Sequence, residues 1–341
     1  MYDITKIQND NISYFASNDW KYVFTDKGVC FFKGNSLLHK DLIISNGKSR
    51  NISFIDKGYD IFKSKTVHFF EERIGFMKQL KPLNVYDGYG ENAFVSTGFE
   101  YYYDYLYKNK MLFEDNTFVI QPVVRFKLDM LNESNYGHNN LYDYSGIAFN
   151  NLSIVDRLSN DNLIDKIEIM LDYLSMLGIY AKRINFVIED KVRKKDNDVQ
   201  YLAVKFFVDN LEIGDILQFK TNNGYLSEFG FGLERLYSRL VNKQYNKIIL
   251  DDYDCGNSVI LRECNFITLI SMIDDSRISR GAKSRINRVI KSMCVDKEHK
   301  DIIMVFKNYL YWSKILEDSD YLNFEKVTEK YLVYSKKGLK K

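Results

Sequence analysis

At 341 residues the chain is long enough for a large core and one to three domains. Hydrophobic residues make up 45% and charged residues 28%, an ordinary balance for a soluble globular protein, and no apolar run approaches the roughly 20 residues that span a bilayer. A net charge of +2 excludes a strong overall electrostatic footprint for nucleic acid.

The chain opens on Met1-Tyr2-Asp3-Ile4-Thr5-Lys6, which lacks the basic-then-apolar pattern of a secretory signal and predicts a cytoplasmic protein. Through residue 62, short apolar runs alternate with turn signals: Tyr22-Val23-Phe24-Thr25, Asp26-Lys27-Gly28, then Val29-Cys30-Phe31-Phe32. Leu42-Ile43-Ile44 and Asn51-Ile52-Ser53-Phe54-Ile55 follow, and together these predict small antiparallel hairpins in a compact β-rich unit. From Thr66 the period turns helical, with Val67, Phe70, Ile74, Met77 and Leu80 ahead of Pro82. A second helix is expected over Gly98 to Lys110, a strand over Phe118 to Phe126, and a polar loop from Leu131 to Tyr144.

The return strand begins at Ile147-Ala148-Phe149-Asn150-Asn151-Leu152. An amphipathic helix at about 161–177 carries Leu163, Ile167, Met170, Leu171 and Leu174 on one face. Strands follow at Ile184 to Ile188, Tyr201 to Val208 and Glu212 to Lys220, the first two separated by the Lys194-Lys195-Asp196-Asn197-Asp198 turn. Next comes Glu228-Phe229-Gly230-Phe231-Gly232-Leu233-Glu234-Arg235-Leu236, a Gly-x-Gly segment opening an apolar helix through Leu240. The remaining residues read as mainly helical. Strands in series with flanking helices and no βαβ rhythm predict an α+β fold built on an antiparallel sheet. The expected division is an N-terminal β-rich unit at 1–62, a central domain at 63–250 and a helical C-terminal region at 251–341.

Few residues stand out chemically. Cys30, Cys255, Cys264 and Cys294 form no Cys-x-x-Cys pair and do not cluster with His39, His68, His138 or His299, which argues against structural zinc. Glycines at 230 and 232 let backbone approach a ligand, and the planar fork of Arg235 reaches phosphate oxygens. Arg125 on an apolar strand is either an edge arginine paired with a carboxylate or an anion clamp. Phe149 is either a core residue or a stacking platform for a purine ring, with Arg235 covering the ring's other face. The combination makes a nucleotide site without a Walker-type loop.

Several segments, in order, resemble the catalytic core of class II aminoacyl-tRNA synthetases, and specifically the alanyl-tRNA synthetase family. Ala93-Phe94-Val95-Ser96-Thr97-Gly98-Phe99 is similar to that family's Leu-Phe-Thr-Asn-Ala-Gly-Met. Gln121-Pro122-Val123-Val124-Arg125 resembles the motif 2 strand, and Ala148-Phe149-Asn150-Asn151-Leu152 resembles Phe-Phe-Glu-Met-Leu on its return. Glu212-Ile213-Gly214-Asp215 resembles Glu-Ile-Trp-Asn, and Gly230-Phe231-Gly232-Leu233-Glu234-Arg235 is nearly motif 3, Gly-Met-Gly-Leu-Glu-Arg. Gly281 through Arg288-Val289-Ile290-Lys291 is similar to the basic helix after the core. The resemblance spans roughly residues 66–291.

It implies ATP-dependent activation of an amino acid with Mg²⁺. Arg125 and Arg235 would be the catalytic cations. ATP would be held by Arg125 on the α-phosphate, by Phe149 and Arg235 on the two faces of adenine, and by Gly232. Glu228, in place of the family's aspartate, would take the substrate ammonium beside Gly230 and Asp215. Glu212 or Asp215 would hold a metal, or serve as solvated strand-end carboxylates. Arg277, Arg280, Lys283, Arg285, Arg288 and Lys291 either meet tRNA phosphates or form a solvated helix face. A carrier protein, peptide or small amine competes with tRNA as acceptor, because the tRNA-reading region is abbreviated. The other reading is a catalytically silent paralogue that binds an amino acid, nucleotide or tRNA as a regulator.

Besides Glu228, the chain departs from the family in three places. The Lys191–Gln200 turn replaces a Gly-Pro-Cys-rich loop, Asn150 replaces a glutamate, and Gly214 replaces a tryptophan. No editing domain fits in the remaining length. Class II cores pair through the motif 1 helix, here about 66–81, and the alanyl branch often does not, which leaves the oligomeric state open.

Overall fold

The computed structural model describes residues 2–34, 58–73, 78–80, 85–88, 91–95, 97, 117–124, 148–158, 163–195, 199–221, 224–241, 248, 258–292, 301–316 and 322–338. Outside them lie the helix expected at Gly98 to Lys110, the polar loop at Leu131 to Tyr144, and Arg125. His39, His138, His299, Cys255 and Cys294 also lie outside the described residues.

Helix α1 (Ile4–Ser17) starts on Asp3, whose carboxylate accepts the Lys6 N–H at 3.0 Å, and buries Ile7, Asn11 and Phe15 at successive turns. It stops where Asp19 adopts a left-handed φ of 63° and the Trp20 N–H returns to the Phe15 carbonyl at 2.9 Å. The hairpin expected next is present as β1 (Lys21–Thr25) and β2 (Gly28–Phe32). Gly28 has a φ of 138°, and a Cβ there would lie 2.0 Å from the Ile188 carbonyl oxygen, so β2 reaches its neighbour because this residue has no side chain.

Helix α2 (Tyr59–His68) runs into one π-turn, Phe69–Arg73. The helix expected from Thr66 to Leu80 is therefore displaced toward the N-terminus, and Leu80 ends a strand, β3 (Lys78–Leu80). Its buried positions include Phe62 and Thr66, and the Thr66 hydroxyl meets the Tyr173 hydroxyl at 2.9 Å. A polar residue at a buried position hid the start of the helix from the apolar count.

The chain continues as β4 (Val85–Gly88), β5 (Glu91–Phe94), β6 (Thr117–Val124) and β7 (Ala148–Leu158). Then come α3 (Ile164–Met176), β8 (Ile184–Glu189), β9 (Arg193–Lys195) and β10 (Val199–Val208). Next are β11 (Leu211–Thr221), β12 (Gly224–Gly232) and α4 (Leu233–Val241). Four helices follow: α5 (Ser258–Met272), α6 (Arg280–Ser292), α7 (Ile302–Ser313) and α8 (Phe324–Gly338). The turn expected at Lys194–Asp198 begins within β9, where Lys194 and Lys195 pair with Gln200 and Val199.

The main sheet has the order β1-β2-β8-β10-β11-β12-β7-β6-β3, with β9 on β10. Every pairing whose register is described is antiparallel. The fold is the expected α+β arrangement, an antiparallel sheet flanked by helices. The N-terminal hairpin is part of that sheet, because β2 pairs with β8 from Gly28↔Glu189 to Phe32↔Asn185.

The chain divides into two compact units, each discontinuous in sequence. The first comprises Met1–Gln79, Tyr102–Phe118 and Leu152–Gly232. Its core includes an aromatic row in which Phe31 stacks on Phe186 at 4.8 Å and Phe186 on Phe206 at 5.6 Å, with Phe15 and Trp20 from the α1 end against Phe186. The expected face of α3, at Leu163, Ile167, Met170, Leu171 and Leu174, is buried throughout. The second unit comprises Leu80–Tyr101, Val119–Asn151 and Leu233–Lys341. Its centre is α5, buried from Ile260 to Met272, with α7 and α8 packed on it. A helix apolar nearly all round needs such cover. Among the described residues no helix is long and apolar enough to cross a membrane.

Candidate active site

In the first unit, β11 and β12 pair in a register that sets Asp215 opposite Gly230 and Leu217 opposite Glu228. Side chains two apart on a strand share a face, so Asp215, Glu228 and Gly230 lie on one side of the ribbon. A Cβ built at Gly230 would stand 3.3 Å from Asp215 Oδ1 and 3.9 Å from Glu228 Oε1. The missing side chain leaves a notch flanked by two carboxylates. Glu228 is only 5% exposed and accepts a hydrogen bond from Ser153 Oγ at 3.0 Å. Two carboxylates at a notch, one of them desolvated, favour a cationic group such as an ammonium. The three residues expected to bind the amino acid are thus brought together, and Ser153 joins them unannounced by any sequence motif.

Gly214 and Phe231 are a second matched pair on the same two strands. A Cβ at Gly214 would fall 2.0 Å from Phe231 Cδ1 and 2.4 Å from the Gly230 carbonyl oxygen. The space over Gly214 is therefore filled from across the ladder, and even one methyl displaces backbone. Gly214→Ala is expected to cost about 2 kcal/mol or more, read from the denaturant midpoint. An unchanged midpoint would mean that Phe231 moves aside freely.

Glu212 is, with Asp215, a candidate metal ligand or a strand-end carboxylate. Its carboxylate lies 3.6 Å from Lys205 Nζ, which also reaches Glu189 at 3.7 Å, and Arg193 Nη2 binds Glu189 at 2.7 Å. This is an alternating charge row along β11, β10 and β8. Among the described residues no group of three or more His, Cys, Asp or Glu side chains is placed to hold a metal ion. The Lys205 ion pair accords with the strand-end carboxylate alternative for Glu212.

In the second unit, β7 and α4 are joined by a buried clamp. Glu234 is fully buried, and its two carboxylate oxygens accept the Asn150 backbone N–H at 2.9 and 3.0 Å. Asn150 Nδ2 donates to Glu234 Oε1 at 2.6 Å and to the Tyr311 hydroxyl at 2.7 Å, and that hydroxyl in turn donates to Glu234. Burial pushes the Glu234 carboxyl above its ordinary range, while the hydrogen bonds from Tyr311 and Asn150 pull it back. Phe149 and Arg235 are the chain neighbours of Asn150 and Glu234, so one clamp fixes the backbone beside both expected nucleotide contacts. Neither Glu234 nor Tyr311 was singled out from sequence.

Arg235 is half-buried in the first turn of α4. Phe149 is 6% exposed and belongs to the apolar cluster of this unit, the core alternative foreseen for it. Gly232 is the last residue of β12, immediately before α4. Arg125 follows the last residue of β6 and lies outside the described residues.

The basic stretch is the helix α6. Arg280, Arg285, Arg288 and Lys291 are exposed, while Ala282, Ile286, Val289 and Ile290 are buried. No acidic residue interrupts the helix.

No protein-family profile matches the chain, and none of the curated proteins does. Among solved structures, a pyrrolysyl-tRNA synthetase from Desulfitobacterium hafniense aligns with a TM-score of 0.39 and 11% identity, over 58% of this chain and 73% of that one. A protein of Leishmania major Friedlin assigned as an aspartyl-tRNA synthetase aligns with a TM-score of 0.41 and 9% identity, over 61% and 66%. Both neighbours are tRNA synthetases by name. Similarity of this degree does not fix a family.

Proposed function

We propose that the chain is an ATP-dependent amino-acid-activating ligase. An amino-acid carboxylate attacks the α-phosphorus of ATP, the new O–P bond forms as the bond to the β-phosphate oxygen breaks, and pyrophosphate leaves with an aminoacyl-adenylate retained. Such a step needs positioning and charge neutralisation more than a general base. Glu228 and Asp215 hold the ammonium at the Gly230 notch. Arg235 and Arg125 neutralise phosphate charge, Phe149 lies beside adenine, and Gly232 lets the nucleotide approach the backbone. The observation that carries this reading is the two-carboxylate notch at Gly230, the residue that opens the segment resembling motif 3.

The acceptor is proposed to be tRNA, on the strength of the acid-free exposed face of α6, which suits a line of phosphates. A small amine would have no use for that face, and an acidic carrier protein is the acceptor that competes for it.

Amino-acid-dependent exchange of pyrophosphate into ATP, across natural and unusual amino acids, tests the activation step. One amino acid giving exchange would name the substrate. The burial of Phe149 favours a second reading, the catalytically silent paralogue that binds an amino acid, a nucleotide or tRNA. Binding of ATP or an amino acid without exchange, with tRNA present, would decide for it.

A further inference from the structure

Among the described residues the main sheet stops at β1, and it stops on an apolar edge. All five residues of the strand are exposed, with Tyr22 at 43%, Val23 at 48% and Phe24 at 68%. Tyr22 and Phe24 lie side by side, with ring centroids 6.0 Å apart, and Tyr22 reaches Phe31 at 6.4 Å. They extend the aromatic row of Phe31, Phe186 and Phe206 one strand beyond its last cover. Natural sheets guard such an edge with proline, a bulge, a central charge or a covering element. β1 has no proline, keeps five consecutive pairs with β2 without a bulge, and carries its only charge at its first residue, Lys21.

We propose that β1 is the docking edge for a second copy of this chain, whose own β1 adds antiparallel about a two-fold axis through Val23. The strand is self-complementary in that register. Tyr22 of each copy faces Phe24 of the other, Val23 meets Val23, and Lys21 faces Thr25. Aromatic cross-strand pairs of this kind stabilise a ladder, and an isologous contact closes at two subunits. Charge selects the same arrangement. Antiparallel pairing brings Lys21 toward Asp26 of the other copy, just past the strand end, whereas parallel pairing sets lysine against lysine. One pair of five-residue strands is smaller than a standard interface of about 800 Å² per partner, so the association is reversible and concentration-dependent. It is a different surface from the motif 1 helix, and it does not depend on the proposed activity.

Sedimentation velocity of the full chain between about 1 and about 100 μM should show the mass rising toward twice that of one chain. Phe24→Lys should weaken association at least about tenfold, the effect of setting charge against a desolvating aromatic pair. Because Phe24 is mostly exposed, the melting temperature should hold. Val23→Cys, at the two-fold axis, should give a disulfide-linked dimer under an added oxidant, while the unaltered chain, with four cysteines of its own, treated identically does not. A monomer at every concentration overturns the proposal. So does a dimer that survives Phe24→Lys and is not trapped by Val23→Cys, which would move the contact to another apolar surface such as Ile303, Phe306 and Leu310 on α7.

Discussion

Arg235→Ala is expected to lower amino-acid-dependent pyrophosphate exchange by about 10²–10³-fold, the usual loss when a preorganised charge on the reacting group is removed. Thermal stability should stay close to that of the unaltered chain. The reasoning separates the side chain from its backbone. Glu234 holds Asn150 through both carboxylate oxygens, and that clamp does not use the Arg235 guanidinium. Truncation at 235 therefore leaves the Asn150–Glu234 bonds between β7 and α4 in place and removes a half-buried cation in the first turn of the helix. Arg235→Lys restores the charge without the planar fork, so activity should recover only partly. Exchange that survives Arg235→Ala would remove Arg235 from the phosphate-binding role. Exchange absent from both proteins, with ATP still bound, points to the silent paralogue.

The parts of this fold that were legible in the sequence are those whose burial follows a local period. The strands read at Ile184 to Ile188, Tyr201 to Val208 and Glu212 to Lys220 occur at Ile184–Glu189, Val199–Val208 and Leu211–Thr221. The helix read at 161–177 occurs at Ile164–Met176 with every named apolar residue buried. Helix α1 escaped because one of its buried positions is Asn11, whose side-chain amide returns to the Ile7 carbonyl at 2.8 Å. An apolar count scores that position as surface, although the hydrogen bond makes it affordable inside. Distance in sequence hid the rest. Glu234 and Tyr311 are 77 residues apart, and Ser153 and Glu228 are 75 apart. Gly230 was conspicuous as half of a Gly-x-Gly segment, but only the β11–β12 register shows that its gap is framed by Asp215 and Glu228.

Asn150→Asp should be strongly destabilising, costing about 3–5 kcal/mol near neutral pH, the range for leaving a buried charge uncompensated. The amide nitrogen of Asn150 donates to Glu234 and to Tyr311 from a site with no exposed surface. An aspartate there has no proton to give and sets a second carboxylate against a buried one. Two such groups cannot both ionise without cover, so the folded pair retains a proton. Its folded pKa is then raised above the value in the unfolded chain, and the sign of the pH dependence follows. The folded state binds the extra proton, so the deficit is smallest below the ordinary carboxylate range and grows as pH rises through the folded pKa. Melting curves should show a drop of roughly 5–15 °C at pH 7 that narrows toward pH 4. Tyr311→Phe should act in the same direction and more weakly, because removing its hydroxyl takes away one of the bonds that holds the Glu234 carboxyl down. A pH-independent loss in Asn150→Asp would mean that the pair ionises fully and is solvated, and Glu234 would then not be the closed clamp that fixes the backbone beside Phe149 and Arg235.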